Sequence, residues 1–321
     1  MSDAPRLLIV RLRNWVGDVT LGVPTLQRLA DAGHELRLLG KGWARDLLAG
    51  HGWQVTPLAK TTRERVAQLR TLRCQALADD PGFARHLNAV CFPYSFSSAL
   101  EFRLAGLKAI GHAHEARSLL LARALARPRS VHELQVYWQL GSAFLGRDAP
   151  LPAAIDLRVS TAHDAAARAL LAAHGVAPGC IVICPFAGGT FEGRDKSWPA
   201  FAEFAAQVLP AFGRPLVICP GPGEQALAQA RFGGATLLAD VNLGVYAALL
   251  KHAALMISND TGPGHIAAAV GTPLLSVLGP TDPRQWGAWG PHVTLLRGRG
   301  GAAWPSVAQA RDAVAALLAP R

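Results

Sequence analysis

The stretch ALMISNDTGPGHIAAAVGTPLLSVLG, residues 254–279, contains one complete repeat of the fold. It begins with one apolar run, ALMIS, and closes on another, PLLSVLG. Neither run alternates polar with apolar residues, so each predicts a strand covered on both faces. Between them HIAAAVG has helical composition, and NDTGPG is the polar joint that leads into it. Strand, helix and strand in this order predict parallel neighbours joined by a crossover. The joint follows the carboxyl end of a strand, and in open parallel sheets ligands bind beyond those ends. NDTGPG is therefore either a polar turn that starts a helix or a site for an anionic, hydroxyl-rich ligand.

The same unit recurs along the chain. RLLIVRL (6–12), ELRLLG (35–40) and NAVCFP (88–93) read as strands of a first series. CIVICPF (180–186) and PLVICPG (215–221) join the two runs above in a second. Segments of helical length lie between them, such as TLGVPTLQRLADAG (20–33) and VYAALLKHA (245–253). The Pro-containing stretch GRDAPLPAAIDLR (146–158) separates the two series and reads as a linker. At 321 residues the chain exceeds the size that one core usually supports. The expected class is α/β with two Rossmann-like domains, residues 1–150 and 151–302, and an amphipathic closing helix within 303–321.

Half of the residues are hydrophobic and 17% are charged, which excludes a disordered chain. No run reaches the roughly eighteen apolar residues of a membrane span. The apolar run of MSDAPRLLIVRLRNW breaks at Arg11 and Arg13, too early for the core of a signal peptide, so a cytoplasmic location is expected. The five cysteines form no C-x-x-C pair; Cys180, Cys184 and Cys219 lie in or beside apolar runs, as buried free thiols do, and neither a disulfide framework nor a zinc site is expected. The net charge of +10 is uneven: residues 1–150 hold 20 Lys and Arg against 12 Asp and Glu, while residues 151–321 hold 12 against 10. Arginine, the better fork for phosphate, supplies 27 of the 32 basic residues. The excess is either a compositional bias or a first half that meets a polyanion. No helix-turn-helix, zinc or RNP pattern accompanies it, which argues against nucleic acid as the partner.

The loops after the strands hold the candidate chemistry. RLRNWVGDVTLGVPTL (11–26) sets Asp18 at the start of a helix, where a carboxylate either caps the helix or faces the crevice as a general base. In CIVICPFAGGTFEGRDKSWPAF (180–201) a strand leads into a Gly-rich loop with Gly188, Gly189, Thr190 and Lys196, and then to a helix start at Ser197-Trp198-Pro199. Backbone N–H groups beside an ammonium make a phosphate cradle; a surface loop with one Lys is the plainer reading. The Walker pattern GxxxxGK[ST] is absent, which removes support for a kinase or ATPase. Glu224, after PLVICPG, either takes ribose hydroxyls or caps the next helix. In the joint NDTGPG, Gly262 and Gly264 let backbone approach a ligand, Asn259 and Asp260 offer acceptors to sugar hydroxyls, and His265 either pairs with phosphate or packs on the sheet. SVLGPTDPRQWGAWGP (276–291) adds a further loop on the same rim.

These residues together resemble the ADP-heptose:lipopolysaccharide heptosyltransferases, glycosyltransferase family nine, over most of the chain. NWVGDVTLGVP (14–24) is similar to the family's first loop, closest to the heptosyltransferase II branch, and GWARDLL (42–48) to a later segment. PYSFSSALEFRLAGLKAIGHAHEARSLLLARAL (93–125) and VHELQVYW (131–138), with its His-x-x-x-x-Tyr, resemble the acceptor domain. GRDKSWP (193–199) is similar to the family's Lys-x-Trp-Pro, and NDTGPGHIAAAVGTP with GPTDP to its most specific signature. Phe186 departs from the pattern, which more often has Gly after the Pro. The resemblance implies a GT-B fold whose two domains face a central cleft, acceptor domain first and ADP-sugar domain second. It implies inverting transfer with Asp18 as base and Lys196 against the departing diphosphate, without an essential metal or cofactor. It implies Gly189, Thr190, Lys196, Thr261, Gly262 and His265 around the diphosphate, Glu224 on the ribose and Asp260 on the heptose. Trp286 and Trp289 either stack on a ring of the ligand or pack.

The implied partners are an ADP-sugar donor and the anionic inner core of lipopolysaccharide, met at the inner face of the inner membrane. An anionic bilayer surface is a further partner, through Arg117, Arg123, Arg127 and Arg129. Two alternatives stand beside this reading: a family-nine transferase with another nucleotide sugar or acceptor, and a nucleotide-sugar-binding protein without turnover. Asp18, Lys196 and Asp260 occurring together argue against the latter, since binding alone needs no base.

Overall fold

The computed structural model describes residues 6–188, 190–299 and 303–319. The chain divides into two compact units, residues 1–152 and 153–321. In the first unit β1 (Arg6–Arg11), β2 (His34–Gly40), β3 (Gln54–Pro57), β4 (Ala89–Cys91), β5 (Ala109–His112) and β6 (Arg123–Leu125) form one sheet, in the order β3-β2-β1-β4-β5-β6. Every pairing is parallel; Leu8 lies beside Leu36 of β2, and Ile9 beside Ala89 of β4. Strand alternation sends Leu7 and Ile9 into a core with Phe83, Phe102 and Leu69. Leu8 and Val10 point to the opposite face and are equally buried.

The second unit repeats the plan. After β7 (Ile181–Cys184) comes a short antiparallel hairpin, β8 (Thr190–Phe191) and β9 (Arg194–Asp195). Then follow β10 (Leu216–Ile218), β11 (Thr236–Leu237), β12 (Leu255–Asn259), β13 (Leu274–Val277) and β14 (Val293–Leu296). The order β11-β10-β7-β12-β13-β14, parallel throughout, copies that of the first sheet. One face of this sheet packs on Trp198, Phe201, Phe204 and Phe232, and the helix Val307–Leu318 adds Ala310 and Val314 to that core. Ser306 opens the helix with a capping box to Gln309. The class is thus α/β with two Rossmann-like domains, as the runs of apolar residues predict.

In each sheet the strand order reverses once, between β1 and β4 and between β7 and β12. Crossovers leave a doubly wound sheet on opposite sides at such a point, so a crevice opens beyond those carboxyl ends. In the first unit the helices Val16–Asp31 and Glu133–Leu145 pack closely beside it. A Cβ at Gly141 would stand 2.7 Å from Thr25 Cγ2, so only glycine permits this approach. Three residues along, Arg28 on the first helix reaches Ser142 Oγ on the second at 2.6 Å. Gly141→Ala is expected to cost about 1–3 kcal/mol through overpacking; a denaturant titration that matches wild type would show that the helices can part without penalty.

Candidate functional sites

At the reversal in the first unit, Asp18 lies in the first turn of the helix Val16–Asp31. The N-cap of that helix is Trp15, without a side-chain cap, so Asp18 is three residues too far along to serve as the cap. Its carboxylate turns instead to the interior, where its side chain is 10% exposed. Oδ1 accepts a hydrogen bond from the Tyr137 hydroxyl at 2.9 Å, and Oδ2 forms an ion pair with Arg13 Nε at 3.4 Å. Burial raises the carboxyl pKa above the ordinary aspartate value; the Arg13 charge and the Tyr137 hydrogen bond pull it back in part. Tyr137 itself is fully buried, which holds its phenol protonated and fixes it as the donor.

Around this pair stands a second layer. Tyr94, in the loop after β4, has a guanidinium near each of two contacts with its ring: Arg13 at 4.4 Å from the centroid and Arg127 at 4.8 Å. The Tyr94 hydroxyl donates to Glu133 Oε1 at 2.5 Å, and Arg127 Nη2 donates to Glu133 Oε2 at 2.7 Å. His112, at the end of β5, meets Gln139 Oε1 at 3.2 Å, and burial lowers its pKa to about 4, so its imidazole is neutral near pH 7. Of these, the sequence singled out Asp18 and the segment ending in Tyr137. It did not single out Arg13, nor Tyr94 and Glu133, which lie unremarked within the two segments that resemble the acceptor domain. Arg117, taken from the sequence as a surface contact for anionic lipid, is completely buried and donates to the Pro93 carbonyl at 2.8 Å. It cannot meet a bilayer.

In the second unit, Asn259 at the end of β12 organises the loops. It is fully buried; its Nδ2 donates to the Pro185 carbonyl at 2.5 Å and its Oδ1 accepts from the Trp198 amide at 3.0 Å. Asn259 is thus a strut between the loops after β7 and β12, and not an open acceptor for a sugar. Trp198 is buried as well, with Nε1 donating to the Pro305 carbonyl at 3.1 Å, so the tryptophan of Lys-x-Trp-Pro anchors the segment that carries Lys196. The helix begins at Phe201, later than Ser197-Trp198-Pro199 suggested, and β8 and β9 occupy part of the Gly-rich loop.

Lys196 Nζ donates to the Asp260 carbonyl at 3.2 Å, which brings the two loops' predicted residues together. Thr261 is the N-cap of the helix Gly262–Ala269 without a side-chain cap bond; the Cys184 thiol, pushed up to about 12 by burial, interacts with the Thr261 side chain and the Glu224 carboxylate. Glu224 stands at the N-cap position of the helix Gln225–Arg231 but makes no side-chain cap bond; Oε2 accepts from the Gly221 amide at 2.7 Å. Lys196, Glu224, Asp260, Thr261 and Gly262 therefore gather at the β7–β12 reversal. Thr190 lies exposed on β8, and Gly189 falls outside the described residues. His265 is buried within its helix. Gly264 has a packing reason and not a ligand-facing one, because a Cβ there would stand 2.7 Å from Ser258 Oγ. Trp286 and Trp289 are half-buried. A cavity of about 670 Å³ lies beside the ends of β13 and β14, lined by Arg194, Asp195, Pro280, Arg297 and Trp304, and holds none of the residues singled out from the sequence. Among the described residues no group of three or more His, Cys, Asp or Glu is set to hold a metal ion, and no helix is long and apolar enough to cross a membrane.

Comparison with known proteins adds an independent line. The family model described as glycosyltransferase family 9 (heptosyltransferase) matches residues 88–311. Lipopolysaccharide heptosyltransferase 3 of Escherichia coli is 38% identical over 125 residues, which are 36% of this chain and 35% of that protein. The protein of the same name from strain K12 is 50% identical over 46 residues, 14% of this chain and 13% of that protein. The chain thus matches about a third or less of the length of these curated relatives. Among solved structures, E. coli ADP-heptose lps heptosyltransferase II superposes with a TM-score of 0.78 at 22% identity, covering 97% of this chain and 98% of that one. E. coli heptosyltransferase WaaC with ADP gives 0.72 at 20% identity, covering 97% and 99%. A family 9 glycosyl transferase from Veillonella parvula gives 0.80 at 18% identity, covering 99% and 98%. At these identities the likeness shows the fold, that of the GT-B heptosyltransferases.

The hydrogen bond from Tyr137 stabilises the charged form of Asp18, so Tyr137→Phe is expected to move the carboxyl titration to still higher pH. Carboxyl NMR of the two proteins tests this, and coincident titrations would remove Tyr137 from the control of Asp18.

Proposed function

The chain belongs to glycosyltransferase family 9, the heptosyltransferases, and on that premise we propose that it moves heptose from ADP-heptose to the inner core of lipopolysaccharide with inversion at the anomeric carbon. Inverting transfer in one step needs a base for the acceptor hydroxyl and a counter-charge for the departing diphosphate. The observation that carries the reading is Asp18: a carboxylate at a strand-order reversal that does not cap its helix, is nearly buried, and has its pKa raised by that burial. Such a group accepts a proton more readily than an ordinary aspartate while remaining ionised enough to act.

In this reading Asp18 takes the proton of the acceptor hydroxyl as its oxygen attacks the anomeric carbon, and ADP leaves from the opposite face. Lys196 and the amide end of the helix Gly262–Ala269 meet the charge that grows on the diphosphate. Thr190, Gly189, Thr261 and His265 belong to the same diphosphate site, Glu224 to the ribose, and Asp260 to the heptose. No resident cofactor is called for. The WaaC structures hold ADP and ADP-2-deoxy-2-fluoro heptose, which supports an ADP-sugar as the donor here. The acceptor would be met at the cytoplasmic face of the inner membrane, with exposed Arg129 available to an anionic surface once Arg117, which is buried, and Arg123, bonded to the Ala143 carbonyl, are set aside.

Asp18→Ala is expected to lower transfer by about 10²–10⁴-fold and to leave ADP affinity intact; normal turnover would refute the base. Because the raised pKa belongs to a base that works deprotonated, the acid limb of kcat/KM should lie above the ordinary aspartate range. Lys196→Ala should weaken both ADP-sugar binding and kcat, and unchanged kinetics would take it out of the phosphate site. The substrate pair is tested by mass: ADP-heptose with heptose-deficient core acceptors should give a product heavier by one heptose. Turnover only with a different ADP-sugar or acceptor would establish the alternative within the family.

A further inference from the structure

Glu133 is a charged residue that the proposed chemistry does not use, and it is 2% exposed. A carboxylate this deep is costly unless its oxygens are satisfied by charge or strong hydrogen bonds. Both are: Oε1 by the Tyr94 hydroxyl at 2.5 Å, Oε2 by Arg127 at 2.7 Å. It is also the first residue of the helix Glu133–Leu145, where the backbone dipole favours a negative group. Two routes lead from it to Asp18. Along its own helix, Tyr137 stands one turn on, at the i+4 position, and bonds Asp18 at 2.9 Å. Through space, Arg127 and Tyr94 lead to Arg13, which contacts the Tyr94 ring at 4.4 Å and pairs with Asp18 at 3.4 Å. The loops after β1, β4 and β6 and one helix therefore converge on a single buried carboxylate.

We propose that Glu133 is a positioning residue of the transfer reaction, holding the Arg127–Tyr94–Arg13 stack and the helix of Tyr137 against Asp18. The assignment rests on Asp18 being the base. It gives the site an electrostatic balance as well as a shape. The titratable and charged groups that act on or with Glu133 are Arg13, Asp18, Tyr94, His112, Arg127 and Tyr137. Burial keeps both tyrosines protonated and His112 neutral near pH 7. Two cations thus face two carboxylates, and the Glu133 charge works to keep Asp18 basic. A Gln at 133 retains the side-chain volume but leaves two cations facing one carboxylate. Removing Arg127 has the opposite sign, since the Glu133 charge is then uncompensated.

The pH profile of kcat/KM separates this role from simple structural support. Glu133→Gln should move the acid limb down and Arg127→Met should move it up, each by roughly half a pH unit or more. The kcat of Glu133→Gln should fall roughly tenfold as Asp18 loses alignment as well as basicity, while the KM for the ADP-sugar, bound by residues of the second unit, should stay unchanged. Arg127 is 36% exposed, so its variant remains informative if the buried Gln prevents folding. Acid limbs that coincide with wild type, in either variant that folds, overturn the proposal provided Asp18→Ala is inactive. An active Asp18→Ala instead removes the base assignment, and the positioning role falls with it.

Discussion

In both six-stranded sheets every strand runs the same way, and the geometry of the sites depends on this constraint. Parallel pairing sends all carboxyl ends to one rim of each sheet, so residues far apart in sequence arrive on adjacent loops. Arg13 and Tyr94 follow β1 and β4; Lys196 and Asp260 follow β7 and β12. The single reversal of strand order then leaves the space between those loops uncovered by a crossover helix. Repetition of the order β3-β2-β1-β4-β5-β6 in the second unit gives that unit a crevice of the same kind, filled by different chemistry.

The two crevices solve different electrostatic problems. The first holds carboxylates with little access to water, so each is met by an arginine and a tyrosine hydroxyl: Asp18 by Arg13 and Tyr137, Glu133 by Arg127 and Tyr94. Tyrosine suits this position because its hydroxyl satisfies an oxygen without adding a charge, and its ring presents a face to the neighbouring guanidinium. Desolvation still prevails at Asp18, whose pKa ends above its ordinary value. The second crevice is built from backbone more than from charge. Asn259 and Trp198 spend their polar atoms on the carbonyls and amides of the surrounding loops, which fixes the chain bearing Lys196 while leaving its ammonium on one carbonyl.

What the sequence made legible follows from these differences. All seven apolar runs that periodicity picked out contain a strand; most of these strands are shorter than the run, by up to four residues in PLVICPG, and β2 begins one residue earlier. Interior β5 (AIGH) and the four edge strands escaped notice: β3 is QVTP, β6 is RAL, β11 is TL and β14 is VTLL, each four residues or fewer. Asp18, Lys196, Glu224 and Asp260 were visible because each follows a strand within a loop of turn-forming residues. Glu133 and Tyr94 were not, since neither sits in a Gly-rich loop and their pairing depends on helix Glu133–Leu145 coming back to the loop after β4. Asn259 and Gly264 were read as open to ligand because composition cannot tell a buried strut from an exposed acceptor.

Charge is the clearest case of composition without placement. The first unit's excess of arginine suggested a surface for a polyanion, yet much of it is used inside the unit. Arg70 and Arg73 donate to the carbonyls of Leu104 and Gly106 at the end of the helix Phe96–Leu104, and Arg123 donates to Ala143 in the last turn of Glu133–Leu145. A cation there satisfies carbonyls that the helix leaves without partners and opposes its negative end. Arg65 pairs with buried Glu101 at 2.6 Å, and Arg28 reaches Ser142 and the carbonyl of Arg147 while lying over Trp138. Guanidinium groups suit such work because one planar fork can bond two acceptors at once. Fewer arginines are therefore free for a polyanion than the net charge implies.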